Sequence, residues 1–320
     1  MRICFNALGA ALCILFAAAT GAQSFPGKSI RFIVPYSPGG STDFTARIIA
    51  QKLSDIPGWQ VIVDNRPGAS GRIGGGIAAN SAPDGYTLCM IALGDSINAS
   101  LFKKSSYHLL TDFATVSQVS TSSYLIVAHP SLQAKTIQEL IAVAKARPDP
   151  IIYGSGGGGS WMSTELFKIM AGIRMTYIPY KSSGQALNDL LGNEISLMFS
   201  APPAVLPHVR TGRLAAIAVT GARRASNMPE IPTVAEAGFP QYDVSTWTGV
   251  VVPAGVPADI VAKLYTAIAK VLNTPDVKAL LARAGGNEVV ASTPEQFRAF
   301  LKNEVAKWAN VIDKANIPLQ

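Results

Sequence analysis

Two short segments carry the residue types and spacing that could hold a small anion. Ser37-Pro38-Gly39-Gly40-Ser41-Thr42 follows an apolar, β-branched stretch and precedes a run with helical spacing. Gly154-Ser155-Gly156-Gly157-Gly158-Gly159-Ser160 repeats that plan after Ile151-Ile152-Tyr153. Glycine lets the main chain approach a ligand closely and leaves its N–H groups uncovered. A helix starting directly behind such a loop offers unpaired N–H donors and a partial positive charge, which together suit an anion. Ser41, Thr42, Ser155 and Ser160 add neutral hydroxyls, and neither loop holds Lys, Arg or His. Either loop alone reads equally as a glycine turn with a Ser or Thr helix cap. The pair points to binding, because ligands of open α/β sheets sit at the carboxyl ends of the strands.

Other chemistries do not fit these segments. Residues 154–159 match G-x-G-x-x-G, but a dinucleotide site also needs an acidic residue ~20 positions on for the ribose. That region reads Tyr177-Ile178-Pro179-Tyr180-Lys181, and the first acid after Glu165 is Asp189. Gly27-Lys28-Ser29 resembles the end of a P-loop, yet Ala22 stands at the first glycine and the segment precedes a strand. The hydrolase elbow G-x-S-x-G fails at both candidates, because Gly39 to Asp43 ends in Asp and Gly68 to Arg72 ends in Arg. His108, His129 and His208 have neither triad context nor metal-ligand spacing, so no catalytic residue, metal or cofactor is expected.

A few single residues stand beside the loops. Asp43 reads as a first-turn helix residue favoured by the dipole. Arg66, in Asp64-Asn65-Arg66-Pro67, reads as a partner of Asp64 before it reads as a ligand contact. Trp161 is either a pocket wall or the packed start of a helix. Tyr180 and Lys181 open a third strand-loop-helix unit, and Trp247-Thr248 lies in a segment suited to a hinge or cleft.

The elements that must position these residues alternate along a chain of 320 residues with net charge +7. Its start has the order of a secretory signal: Arg2, an apolar stretch from Ile3 to Phe16, then small residues to Ala22. Cys4 and Cys13 fall in that leader, which leaves Cys89 as a lone thiol on an apolar strand. Basic residues are dispersed, with Lys103-Lys104 and Arg223-Arg224 the densest pairs, so no nucleic-acid stripe forms. A mild positive field favours anionic solutes.

Strand-like segments at Ser29 to Pro35, Gln60 to Asp64, Tyr86 to Leu93, Tyr124 to Ala128, 151–153, Met175 to Pro179, Ile195 to Phe199 and Ala215 to Val219 alternate with helical periods. Thr136 to Glu139 and Thr293 to Gln296 carry capping-box spacing, and the last third, from Pro257, is mostly helical. The expected class is α/β: two lobes, each a mostly parallel sheet flanked by helices, with the C-terminal segment packing back on the first.

Six segments in order resemble the Bug family, the TctC-type solute-binding proteins of tripartite tricarboxylate transporters. They are Pro35 to Asp43, Val63 to Gly71, Ala82 to Leu88, Ile178 to Lys181, Pro229 to Gly238, and Trp247. The resemblance covers nearly the whole chain after the leader. It implies a two-domain periplasmic binding-protein fold with a ligand cleft between the lobes and a hinge of two strands. On that pattern residues 1–22 are the signal peptide, residues 23–124 with 249–320 form lobe 1, and residues 125–248 form lobe 2. It also implies a carboxylate held between the loops: Tyr36, Ser37, Gly39, Gly40, Ser41 and Thr42 on one side, Ser155, Gly156, Gly159, Ser160 and Trp161 on the other, with Tyr180 and Lys181 alongside. Tyr177, Ser182, Ser196 and Trp161 depart from the family pattern, which leaves the far end of the ligand open between aliphatic di- or tricarboxylates and aromatic acids. The implied protein is a periplasmic monomer that passes its ligand transiently to membrane permease subunits; the alternatives are a sensor that feeds a membrane receptor and, more remotely, a secreted α/β hydrolase.

Overall fold

The strand from Ile30 to Val34 (β1) has four fully buried apolar residues, as expected of a strand covered on both faces. The computed structural model describes residues 25–285 and 287–320; the expected leader at 1–22 lies outside the described residues. β2 (Val61–Asn65) and β3 (Thr87–Ala92) flank β1 in parallel, with Ile30 opposite Val61 and Arg31 opposite Thr87. The helices α1 (Ser41–Ser54) and α2 (Arg72–Ala79) make the crossovers. On α1 the stripe Ala46, Ile49 and Leu53 is buried, whereas Phe44 is 42% exposed. β4 (Phe113–Ser123) and β10 (Ser245–Pro253) add to β3, and the short β11 (Glu288–Val289) ends the sheet, in the order β11-β4-β10-β3-β1-β2.

The second sheet has the order β7-β6-β8-β5-β9. Its members are β5 (Leu125–Ala128), β6 (Ile151–Ser155), β7 (Met175–Pro179), β8 (Leu197–Ser200) and β9 (Ala215–Val219). Helices α4 (Ile137–Ala146), α5 (Gly158–Ala171), α6 (Ser183–Leu191) and α7 (Pro202–Arg210) connect them. The helix α3 (Leu93–Leu101) follows β3 directly, and α8 (Ala258–Leu272), α9 (Pro275–Gly285) and α10 (Pro294–Lys314) return to the first sheet. The full capping box at Thr293 and Gln296 starts α10 where the spacing places it. At α4 only half of it forms: Thr136 accepts from the Glu139 N–H, while Glu139 accepts from Lys135 N.

Both sheets are mixed rather than mostly parallel. The βα units β2-β1-β3 and β7-β6-β8 are parallel, whereas β10 runs antiparallel to β3 and β4, and β5 runs antiparallel to β8 and β9. The reason lies in how those strands arrive. Parallel neighbours need a crossover connection, which helices supply within β2-β1-β3 and β7-β6-β8, whereas β5 and β10 arrive from the other sheet without one. Only Tyr124 separates β4 from β5. Thr220 ties the outgoing and returning segments together. Its N–H donates to the Tyr124 carbonyl (3.0 Å), its carbonyl accepts from Val244 N (2.9 Å), and its hydroxyl reaches the Val244 carbonyl (2.7 Å).

Behind the returning strand, the indole of Trp247 and that of Trp308 on α10 both donate to the buried Glu304, at 3.0 and 3.2 Å. Cys89 on β3 is buried, and burial pushes its thiol well above the usual range. Among the described residues no helix is long and apolar enough to cross a membrane.

Candidate functional site

The carboxyl ends of β1, β3 and β6 open on one cleft. After β1 the chain turns at Gly39, whose φ of +85° is a left-handed conformation that glycine adopts without strain. Asp43, 2% exposed, fixes this loop. Its carboxylate accepts from Gly39 N (2.9 Å), Arg47 Nε (2.9 Å) and Asn65 Nδ2 (2.8 Å). Burial opposes its charge, but the bonds from Arg47, Gly39 and Asn65 outweigh burial and hold its pKa below the ordinary carboxylate value. Asp43 is thus an anchor that keeps the glycines in place, consistent with a helix first-turn role. Its bonds are the reason the main chain of Gly39 and Gly40 stays exposed in one shape.

Asp43→Asn removes that charge and offers a donor where three donors converge. The variant should lose about 1–3 kcal/mol of stability at neutral pH. A depressed folded pKa contributes stability above the unfolded value of about 3.9 and loses it as pH falls through the lower folded value. Parent and variant should therefore converge in urea unfolding below about pH 4. Equal stabilities at neutral pH would remove the anchoring role.

The helix α1 begins at Ser41 behind Gly40, and no side chain caps it. The second loop has the same feature: α5 begins at Gly158 behind Gly157, again without a side-chain cap. Ser155 and Ser160 turn toward each other, and both hydroxyls contact the Gly157 carbonyl. They brace the loop from inside, and among the described residues no imidazole or carboxylate bonds to them. Gly157 and Gly158 are exposed, with nothing near the position a Cβ would take. Gly159 is the opposite case. A Cβ there would lie 2.5 Å from the Tyr124 hydroxyl and 2.9 Å from Leu93 Cδ2, so only glycine lets this loop reach the first lobe.

A cavity of about 160 Å³ lies where these pieces meet. Tyr36, Ser41, Thr42 and Thr45 line it from the first loop and α1, and Gly159 from the second loop. Ala92, Leu93 and Gly94 come from the end of β3, Tyr124 and Thr246 to Thr248 from the crossing segments, and Asn287 from the stretch before β11. No residue in this lining carries a charged side chain. A space of ~150 Å³ holds a molecule the size of benzene, so this one suits a small organic ion. A larger cavity of about 490 Å³ lies at the β4 and β11 side of the crossing, between Thr121 to Ser123, Gly221 to Ala225 and Glu288. It mixes acidic and basic side chains and neither glycine loop reaches it.

Of the residues expected at the site, Tyr36, Ser41, Thr42 and Gly159 meet in the small cavity. Ser37, Gly39 and Gly40 stand exposed on the same loop, and Ser155, Gly156 and Ser160 form the frame behind Gly159. Trp161 lies elsewhere. Its ring stacks on Tyr177 (centroids 5.5 Å apart) and lines a separate cavity closed by residues 315–320. The helical turn carries it past the loop to the outer face. Tyr180 covers Gly154 and donates its hydroxyl to Asp189 (2.7 Å), while Lys181 is exposed; neither lines the small cavity. Arg66 pairs with Asp64 at 2.9 Å, as its neighbourhood suggests. Residues 92–94, Thr45, Tyr124, Thr246 and Asn287 line the small cavity without having been expected from the sequence. The first of these had a signal, since β3 is another parallel strand whose carboxyl end must open on the same edge.

Two lobes built on mixed sheets, joined by two crossing segments with a small cleft between, define a periplasmic-type binding protein, and the solved structures that this chain is similar to share that two-lobe fold. The family model described as tripartite tricarboxylate transporter family receptor matches residues 45–317, and the chain belongs to that family. It is 37% identical over 308 residues to Protein BugT of Bordetella pertussis, covering 95% of this chain and 94% of that protein. A solved structure of Rpa4515 from R. palustris with adipate superposes with a TM-score of 0.77 at 33% identity, covering 92% of this chain and 99% of that one. MatC from Rhodopseudomonas palustris with bound malate gives a TM-score of 0.74 at 28% identity over 90% of this chain and all of that one.

Proposed function

We propose that this chain is a periplasmic solute-binding protein that captures a small organic carboxylate, a di- or tricarboxylate or an aromatic acid, and delivers it to permease subunits of a tripartite tricarboxylate-type transporter. One observation carries the reading: two uncapped helix starts, each behind exposed glycines, converge on a small cleft with no charged side chain. Main-chain N–H groups and hydroxyls hold a carboxylate there without an ion pair, which lets the ligand leave again. Adipate and malate in the two relatives are acids of the proposed class.

In this reading Tyr36, Ser37, Gly39, Gly40, Ser41 and Thr42 contact the ligand from lobe 1. Ser155, Gly156, Gly159 and Ser160 shape the opposing face in lobe 2, and Tyr180 and Lys181 approach only as the lobes close. The lobes are residues 23–124 with 249–320 and residues 125–248. No turnover is expected, because among the described residues the Ser160 hydroxyl meets Ser155 and a carbonyl, neither of them a base.

A thermal-shift screen of small carboxylates tests the proposal. Binding to the folded state alone stabilises by ~2.7 kcal/mol at a hundredfold excess over the dissociation constant. At least one organic acid should raise the melting temperature by several degrees. A shift produced by sugars or amines, with none from any acid, would overturn the assignment.

A further inference from the structure

One hydrogen bond behind the cleft wall stands a buried carboxylate. Asp95, in the first turn of α3, is 1% exposed. Its Oδ2 accepts from the Tyr36 hydroxyl (2.7 Å) and from Ala92 N (2.8 Å). Its Oδ1 has no hydrogen-bond partner among the described residues. Tyr36, Ala92 and Gly94, the residue before Asp95, all line the cleft.

The groups facing Asp95 offer little to balance its charge. The Tyr107 phenol lies close and helps to hold it, and the Cys89 thiol faces it from β3. Arg72, from the start of α2, lines the same cavity of about 10 Å³ as Asp95. Its guanidinium is committed elsewhere, over the Phe102 ring (3.6 Å) and on the carbonyls of Ala69 (3.1 Å) and Lys104 (3.3 Å). No ion pair reaches Asp95 among the described residues.

We infer that Asp95 couples proton uptake to carboxylate capture: an anion in the cleft and the Asp95 carboxylate repel each other across Tyr36, so binding draws a proton onto Asp95 and the protonated protein binds the anion more tightly. The inference rests on the carboxylate reading of the cleft. A second negative charge nearby raises the pKa of a carboxyl group, and by reciprocity the proton raises affinity for the anion. The free protein is already poised for this. Burial pushes the Asp95 pKa up to about 6, against the pull of the bonds from Tyr36 and Ala92 and of the nearby Tyr107 phenol. A proton placed on Oδ1 removes the charge and leaves Oδ2 with both of its donors.

The test is calorimetric titration of the full chain with malate, adipate and benzoate at about pH 5.5 and about pH 7.5, in two buffers of different ionisation enthalpy. Asp95→Asn, measured in parallel, subtracts the ligands' own protonation. The parent should bind roughly fivefold more tightly at the lower pH, over and above the change in the variant, with proton uptake near neutral pH. Carbon-13 resonances of the aspartate carboxyls give a readout that needs no variant: one should titrate near pH 6 in the free protein and higher with ligand. Binding that changes with pH equally in parent and variant sinks the proton coupling alone, as does the absence of any carboxyl titrating above about pH 5. If none of the three acids binds at either pH, the carboxylate reading and this inference fall together.

Discussion

Replacing Trp247 with Ala should lower the unfolding free energy by about 3–5 kcal/mol, the range for truncating a large buried aromatic side chain. The indole is 1% exposed and meets Phe297 and Phe300 edge to face, with centroids 5.9 and 5.5 Å away. Its N–H donates to Glu304. Truncation opens a void that neighbours on β10 and α10 cannot fill, because both are held by the sheet and by the second indole, Trp308. Glu304 keeps Trp308 and Lys307 as partners, so the loss is chiefly one of packing. At about 2–4 °C per kcal/mol the melting temperature should fall by about 10 °C, measured by calorimetry. Trp247→Phe retains most of the volume and should cost roughly 1–2 kcal/mol, mainly the lost hydrogen bond. Since Trp247 also lines the cleft, the Ala variant should bind acids more weakly as well. A loss below about 1 kcal/mol would show that β10 does not depend on this side chain.

Gly156→Val should act on the second loop by a different route. A Cβ at Gly156 would stand 2.1 Å from Ser182 C and Ser183 N and 2.5 Å from the Ser182 carbonyl oxygen. These are backbone atoms at the start of α6, and Ser182 itself caps that helix by accepting from Gln185 N. No rotamer change relieves the contact. The loop must lift away from the start of α6, and the N–H groups at Gly158 to Ser160 lose their aim. Overpacking of this kind costs about 1–3 kcal/mol, and the affinity for any acid that binds the parent should fall more than about tenfold. Gly157→Ala is the matched control. It meets nothing within 4 Å, has an extended backbone, and should stay within about 0.5 kcal/mol of the parent in stability. Parent-like affinity in Gly156→Val would mean that the loop does not form the grip.

The βα units were legible because their strands are apolar throughout and their helices carry clear periods: β1, α1 and β6 fall where the pattern puts them. The long strand β4, which leads into the second sheet, was not. It reads Phe113-Ala-Thr-Val-Ser-Gln-Val-Ser-Thr-Ser-Ser123, and its Ser and Gln residues look like a solvated loop. They are buried, and the structure pairs them with residues far along the chain. Ser117 donates to the Ser292 carbonyl, Gln118 N donates to the Ser292 hydroxyl, and Ser120 meets Thr248. Polar groups survive burial when partners of that kind exist, and nothing local announces them. The helix α3 escaped for the opposite reason: it follows β3 without a turn, so the apolar strand masks its start. At the site the glycines were readable as backbone devices, whereas the direction Trp161 faces depends on helix phase and on residues 315–320, which no local pattern relates to it.

The accessibility of glycine in the second loop has a practical side. Gly158 is exposed at the lip of the cleft with free space around it, and Cys89, the only thiol among the described residues, is buried with its acidity suppressed. A thiol must ionise and be reachable to react with a maleimide. Gly158→Cys would therefore give the described residues a single labelling point, and an environment-sensitive dye placed there would turn occupancy of the cleft into an optical signal.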